Sequence, residues 1–150
     1  MKHIALSLFA AFGFASTALA EAPKPPFIYD CDLNKGTRQH GLVKERVAFV
    51  FAKDGSVSVV DPVILHFVEG PVAGKFRLRG EKTRVSWTVK NVISRASTSI
   101  PPLNYTATIT DNGKDVRVRG SVSGTAQTEY GYGSCRVITN FKGNPLKHLR

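Results

Sequence analysis

The chain holds two cysteines, Cys31 and Cys135, one towards each end. Their surroundings decide what a bond between them would demand. Phe27, Tyr29, Cys31 and Leu33 alternate with Ile28, Asp30 and Asp32, the period-2 pattern of a half-buried strand with Cys31 on its apolar face. Cys135 and Val137 start the last strand, with Phe141 on the same parity. Neither cysteine belongs to a C-x-x-C unit and no histidine cluster accompanies them, so a structural disulfide is expected rather than a metal or redox site. Such a bond needs Cα atoms within about 7 Å of one another. The first and last strands must then be neighbours, and a meander whose ends meet is closed. The expected fold is all-β: a small antiparallel up-and-down β-barrel of eight or nine short strands, with a β-sandwich as the alternative.

The registers between these ends follow from turn chemistry. Tyr105, Ala107 and Ile109 alternate with Thr106, Thr108 and Thr110, and Asn112-Gly113 follows, both tolerant of the positive φ of a type I′ turn. A two-residue loop there pairs Thr110 with Asp115, Ile109 with Val116, Thr108 with Arg117 and Ala107 with Val118, apolar on apolar throughout. Val47, Phe49 and Phe51 form another inward row before Lys53-Asp54-Gly55. A three-residue loop with Gly55 in a G1 bulge sets Phe51 against Val57 and Phe49 against Val59. A four-residue turn over 80–83 opposes Leu78 to Val85 and Phe76 to Trp87, with Val85, Trp87 and Val89 on one face. After a break at Asp61-Pro62, the apolar run 63–68 contains His66 and predicts a strand covered on both faces. Residues 34–45 and 93–103 read as loops, and 130–133 as a bend or bulge where backbones approach closely.

Residues 1–20 have the form of a signal peptide: a basic Met1-Lys2-His3, an apolar run, and Ala18-Leu19-Ala20 before a mature start near Glu21. The apolar run is too short to span a bilayer, and no second one exists. The expected organisation is a Pro-rich leader over 21–26, a single β domain over 27–141 and a polar tail over 142–150, in the periplasm or secreted. Loss of Lys2 with the leader leaves 20 basic against 11 acidic residues, a net charge of +9. That excess points to anionic surfaces such as acidic glycans or lipid headgroups, with nucleic acid disfavoured by the exported address.

Motifs for catalysis are missing: there is no G-x-S-x-G, H-E-x-x-H or P-loop, and His40, His66 and His148 stand in unlike contexts. No catalytic, cofactor-binding or metal-ligating residue is predicted. Gly131-Tyr132-Gly133 lacks the third glycine and following helix of a dinucleotide site. Asp30 and Asp32 flank Cys31 on the outward face, as suits a solvated strand. The arginines are more informative. By the registers above Arg77, Arg79, Arg84, Arg117 and Arg119 all point away from the core, with Arg84 directly opposite Arg79. Like charges in that relation cost free energy unless an anion sits between them, although exposed cations also discourage edge aggregation. Phe49, Phe51, Phe76, Trp87, Tyr105 and Ile109 either fill a solid core or line an apolar pocket.

The order Y-x-C-D-L at 29–33, D-P-x-I at 61–64, G-P-V at 70–72, R-V-S-W-T-V at 84–89, Y-T-A-T-I at 105–109 and G-Y-G-S-C at 131–135 resembles a group of small exported bacterial proteins of unknown function. That resemblance implies export and the cysteine pair, and supplies no activity. A looser likeness, over the first third, is to the exported β-barrel inhibitors of c-type lysozyme, with a Cys soon after a Tyr in the first strand. It departs on charge, because lysozymes are cationic and a +9 inhibitor is repelled. The leading expectation is a non-enzymatic exported barrel that binds an anionic envelope component or an acidic protein through the five arginines. The rivals are a carrier of a small apolar ligand inside the barrel and, third, a hydrolase.

Overall fold

A computed structural model describes residues 23–141 other than 38–40, 69, 91 and 94–97, so the expected signal peptide, the polar tail, His40 and His148 lie outside the described residues. The described residues form ten strands: β1 (Phe27–Thr37), β2 (Arg46–Phe51), β3 (Val57–Val60), β4 (Val72–Arg79), β5 (Lys82–Val89), β6 (Val92–Ile93), β7 (Ser99–Ile100), β8 (Leu103–Thr110), β9 (Asp115–Val122) and β10 (Thr128–Ile138). Eight of them close an antiparallel barrel in the order β1-β10-β9-β8-β5-β4-β3-β2, while β6 and β7 pair as a separate ribbon. β1 and β10 are the seam, and Cys31 lies directly opposite Cys135 there, joined by the disulfide. The barrel and its bond are as the cysteine argument requires.

Two hairpins adopt the expected registers. Thr110 pairs with Asp115, Ile109 with Val116, Thr108 with Arg117 and Ala107 with Val118. Asn112 (φ 50°) and Gly113 (φ 99°) both take positive φ, and the Lys114 N–H donates to the Asp111 carbonyl at 3.1 Å. Between β2 and β3, Phe51 faces Val57 and Phe49 faces Val59, with Gly55 at φ 82°.

Several expectations are corrected, among them the loop over 34–45, into which β1 runs as far as Thr37. The apolar run 63–68 is not a strand: residues 62–67 form a short helix, α1 (Pro62–Phe67). Asp61 caps it, its Oδ1 accepting the Ile64 N–H at 2.7 Å, and Pro62 opens the first turn, where a missing N–H costs nothing. His66 is therefore an exposed helical residue beside Phe67, not a residue inside an apolar strand. The β4–β5 turn is shorter by two residues than expected, so Phe76 faces Val85 and Leu78 faces Thr83. Phe76 gains an edge-on contact with Phe51 at 5.3 Å, while Leu78 runs past the rim and is 62% exposed. Finally, β10 continues through 130–133, and the bulge lies on its partner, where Asn34 is the extra residue between Leu33 and Lys35. Close backbone approach is real: a side chain at Gly133 would overlap the Asp32 carbonyl.

Inside the barrel the buried apolar side chains pack as one cluster. Phe49 packs edge-on to Trp87 at 5.6 Å, Trp87 stacks on Tyr105 at 5.1 Å, and Phe27, Tyr29, Phe51 and Phe76 form a second aromatic group. Val63 and Ile64 of α1 and Val43 of the 41–45 segment join the same cluster and close one barrel end. Glu129, 1% exposed, holds that segment by accepting the Gly41 and Val43 N–H groups, each at 3.0 Å. The Tyr105 hydroxyl donates to the Leu42 carbonyl at 3.0 Å. Outside the barrel, Ile28, Ala48 and Val50 form a smaller buried cluster with Ile138 and Phe141. Phe141 thus covers the outer wall and does not continue the inward row of Cys135. Among the described residues no helix is long and apolar enough to cross a membrane.

Burial of the α1 cap carries a pH signature. Desolvation pushes the Asp61 carboxyl up to about 6, against the opposing pull of the Ile64 and Val63 N–H groups and of Lys44. Its folded value lies above its unfolded one, so folding takes up a proton between the two. The penalty of burying the charge is fully present above pH 6 and is relieved as pH falls towards 4. Urea unfolding of wild type and Asp61→Asn, which keeps a capping oxygen, is expected to show a stability difference that moves in favour of wild type by roughly 2–3 kcal/mol between pH 7 and 4. A pH-independent difference would show that the carboxyl titrates normally.

Candidate anion-binding face

The outward positions of β4, β5, β8, β9 and β10 form one continuous surface, because closure makes these strands hydrogen-bonded neighbours in that order. Their registers align side chains into rungs that run across the strands. One rung reads Arg77, Arg84, Thr108, Arg117, Tyr132 and continues to Lys35 on β1. The next reads Lys75, Ser86, Thr106, Arg119 and Tyr130. All five arginines expected to face outward do so, and all five are exposed.

Arg84 faces Arg77 and not Arg79 as expected, and Arg79 faces Lys82. The two-residue difference in the turn preserves side-chain parity, so it changes the pairing and leaves the face intact. Two like-charge pairs now sit side by side on this hairpin. A shallow depression of about 400 Å³ lies among Lys75, Arg77, Arg79, Arg84 and Ser86. Among the described residues none of the five arginines has an acidic ion-pair partner.

On the other side of β8 a groove of about 520 Å³ is lined by Lys35, Thr108, Thr110, Asp115, Arg117 and Tyr132 among others. Arg117 lies over two neighbouring rings: its guanidinium is 4.6 Å from the Tyr130 centroid and 5.7 Å from that of Tyr132. The rings themselves stack at 6.4 Å with an interplanar angle of 22°. A guanidinium over aromatic faces is restrained while its N–H edge stays free to donate.

The seam carries a contrasting arrangement. Asp30 is not solvated on the outer wall; it is 6% exposed. Arg46 meets it through two hydrogen bonds of 2.9 and 2.8 Å, and Arg136 through one of 2.8 Å. Burial works to raise the Asp30 pKa, but the bonds and charges of the two arginines outweigh it and hold the carboxyl below the usual range. Those two cations are committed to structure. Asp32, on the same face, remains exposed.

Tyr130, Tyr132, Lys35 and the bridging Thr106 and Thr108 are the members of this face that the sequence reading did not single out. A signal existed: counting back from inward Cys135 places both tyrosines outward, once 130–133 is taken as strand. The six aromatic and aliphatic residues expected inside are there, with Phe49, Phe51, Trp87, Tyr105 and Ile109 buried and Phe76 half-buried. Trp87 Nε1 is buried without a hydrogen-bond partner. Comparison with family models, with curated proteins and with solved structures finds no match to this chain.

Proposed function

We propose that this is an exported, non-enzymatic β-barrel that binds an anionic component of the cell envelope through the outer arginine face. The observation that carries the reading is the set of five exposed arginines on neighbouring strands, without acidic partners among the described residues and with Arg77 set directly against Arg84. Placing two guanidinium groups opposite each other is unfavourable in the free protein. An anion between them converts that repulsion into two charge-assisted hydrogen-bonding sites. The cross-seam disulfide suits an oxidising compartment, where envelope anions are the accessible partners.

The test reverses charge on the face. Wild type and a variant carrying Arg77→Glu, Arg79→Glu, Arg117→Glu and Arg119→Glu are titrated with polyglutamate, polygalacturonate and phosphatidylglycerol vesicles at an ionic strength of about 0.15 M. Wild type is expected to bind at least one of these saturably, and the variant to bind it more than about tenfold more weakly. Absence of saturable binding by wild type, or equal binding by the variant, overturns the reading.

A further inference from the structure

Resting on the anion-binding reading of this face, we infer that its ligand is a linear carboxylated polysaccharide laid across the strands along the Arg77–Lys35 rung. The rung crosses six neighbouring strands of the barrel wall. With strands about 4.8 Å apart, its five steps cover a path of about 24 Å. Strands in a small barrel are tilted, so a row that follows the hydrogen-bonding direction winds around the wall. A flat membrane meets a convex wall along a narrow strip and leaves one or both ends of the rung untouched. A flexible chain follows the curve and meets every position.

The order of groups along the path separates a sugar acid from other polyanions. Cations alternate with neutral hydrogen-bonding groups: Arg77 and Arg84, then Thr108, then Arg117, then the Tyr132 hydroxyl, then Lys35. A uronate chain presents the matching alternation of carboxylates and hydroxyls. A single nucleic-acid strand seeks open aromatic faces for its bases. Here the space over Tyr130 and Tyr132 is taken by the Arg117 guanidinium. What Arg117 offers outward is its planar fork of donors, the geometry that grips a carboxylate through two bonds. Asp115, on the adjacent rung opposite Thr110, also lines the groove, so the cations of the Arg77–Lys35 rung hold an anionic chain against its repulsion.

The test uses the mature, disulfide-bonded protein and four probes: galacturonic acid, oligogalacturonates of increasing length, oligothymidylate of matched charge, and vesicles of phosphatidylglycerol in phosphatidylcholine. Affinity for oligogalacturonate is expected to rise with length and to level off once the oligomer spans the rung, an arc longer than the backbone path of about 24 Å because the side chains splay outward from a curved wall. Arg117→Lys, which keeps the charge and loses the fork, is expected to bind the longer oligomers about tenfold more weakly. Tyr132→Ala loses several-fold, and Lys53→Ala, in the distant β2–β3 turn, is unchanged. All three positions are exposed, and circular dichroism verifies that each variant is folded. Monomer binding as tight as that of long oligomers, or unchanged binding by both Arg117→Lys and Tyr132→Ala, overturns the proposal. So does tighter binding of oligothymidylate, or of vesicles, than of the longest oligogalacturonate; in those cases the broader anion-binding reading survives. If no probe binds saturably, this proposal falls, and the anion-binding reading falls with it unless wild type binds polyglutamate.

Discussion

Replacing Cys31 and Cys135 together by alanine is expected to lower the stability of the barrel by about 4–5 kcal/mol. The bond joins residues separated by 104 positions, and the loop entropy removed from the unfolded chain grows with that separation. A domain of this size has about 5–15 kcal/mol in all, so the variant stands near the edge of folding. The native strand order is nevertheless expected to persist at low temperature. Asp30 still bridges Arg46 and Arg136 across the seam, and Tyr29 and Leu33 keep their inward packing. The measurement is a urea transition under non-reducing conditions, with far-ultraviolet circular dichroism to verify the strands. A midpoint equal to wild type would show that side-chain packing alone closes the wall.

Phe49→Ala is the second large effect, with an expected loss of about 3–5 kcal/mol. Phe49 is fully buried and meets Trp87 edge-on at 5.6 Å. Its removal leaves a cavity that neighbouring β-branched residues cannot fill without leaving their rotamers. Because Trp87 is the single tryptophan of the chain, its emission is expected to shift to the red if water enters that space. Leu65→Ala serves as the reference: Leu65 is 59% exposed on α1, and a change within about 0.5 kcal/mol is expected. Comparable losses at both positions would show that Phe49 is not a principal packing residue.

How much of this was legible in the sequence depended on whether two independent signals met at one place. At Asn112-Gly113 and at Gly55 the turn residues and the apolar alternation agree, and both registers follow. At the β4–β5 turn they do not. Phe76 and Leu78 are both apolar and two apart, so loops differing by two residues satisfy the same alternation. What decides is tertiary: Phe51 offers Phe76 a partner, whereas nothing at the rim requires Leu78 to be inside. The run at 63–68 is too short for a helical period to declare itself, and the usable signal was the Asp61-Pro62 cap. The arginine face was readable because parity survives a two-residue slip. The contact of Arg117 with the two tyrosines was not, since the glycines of 130–133 read as a bend or bulge and hid the strand that pairs β10 with β9.

The seam between β1 and β10 also sets an order of events in time. A chain synthesised from its amino end presents β1 first, and β2 covers one of its edges soon afterwards. The other edge pairs with residues as late as Ile138, the partner of Ile28. Until those residues exist, a long strand rich in aliphatic and aromatic side chains keeps an open row of amide and carbonyl groups, a template for any passing strand. High contact order of this kind slows folding, because distant segments must meet before their pairing is rewarded. The interval before the wall closes is therefore when the newborn chain is most exposed to aggregation and to the holding proteins that prevent it.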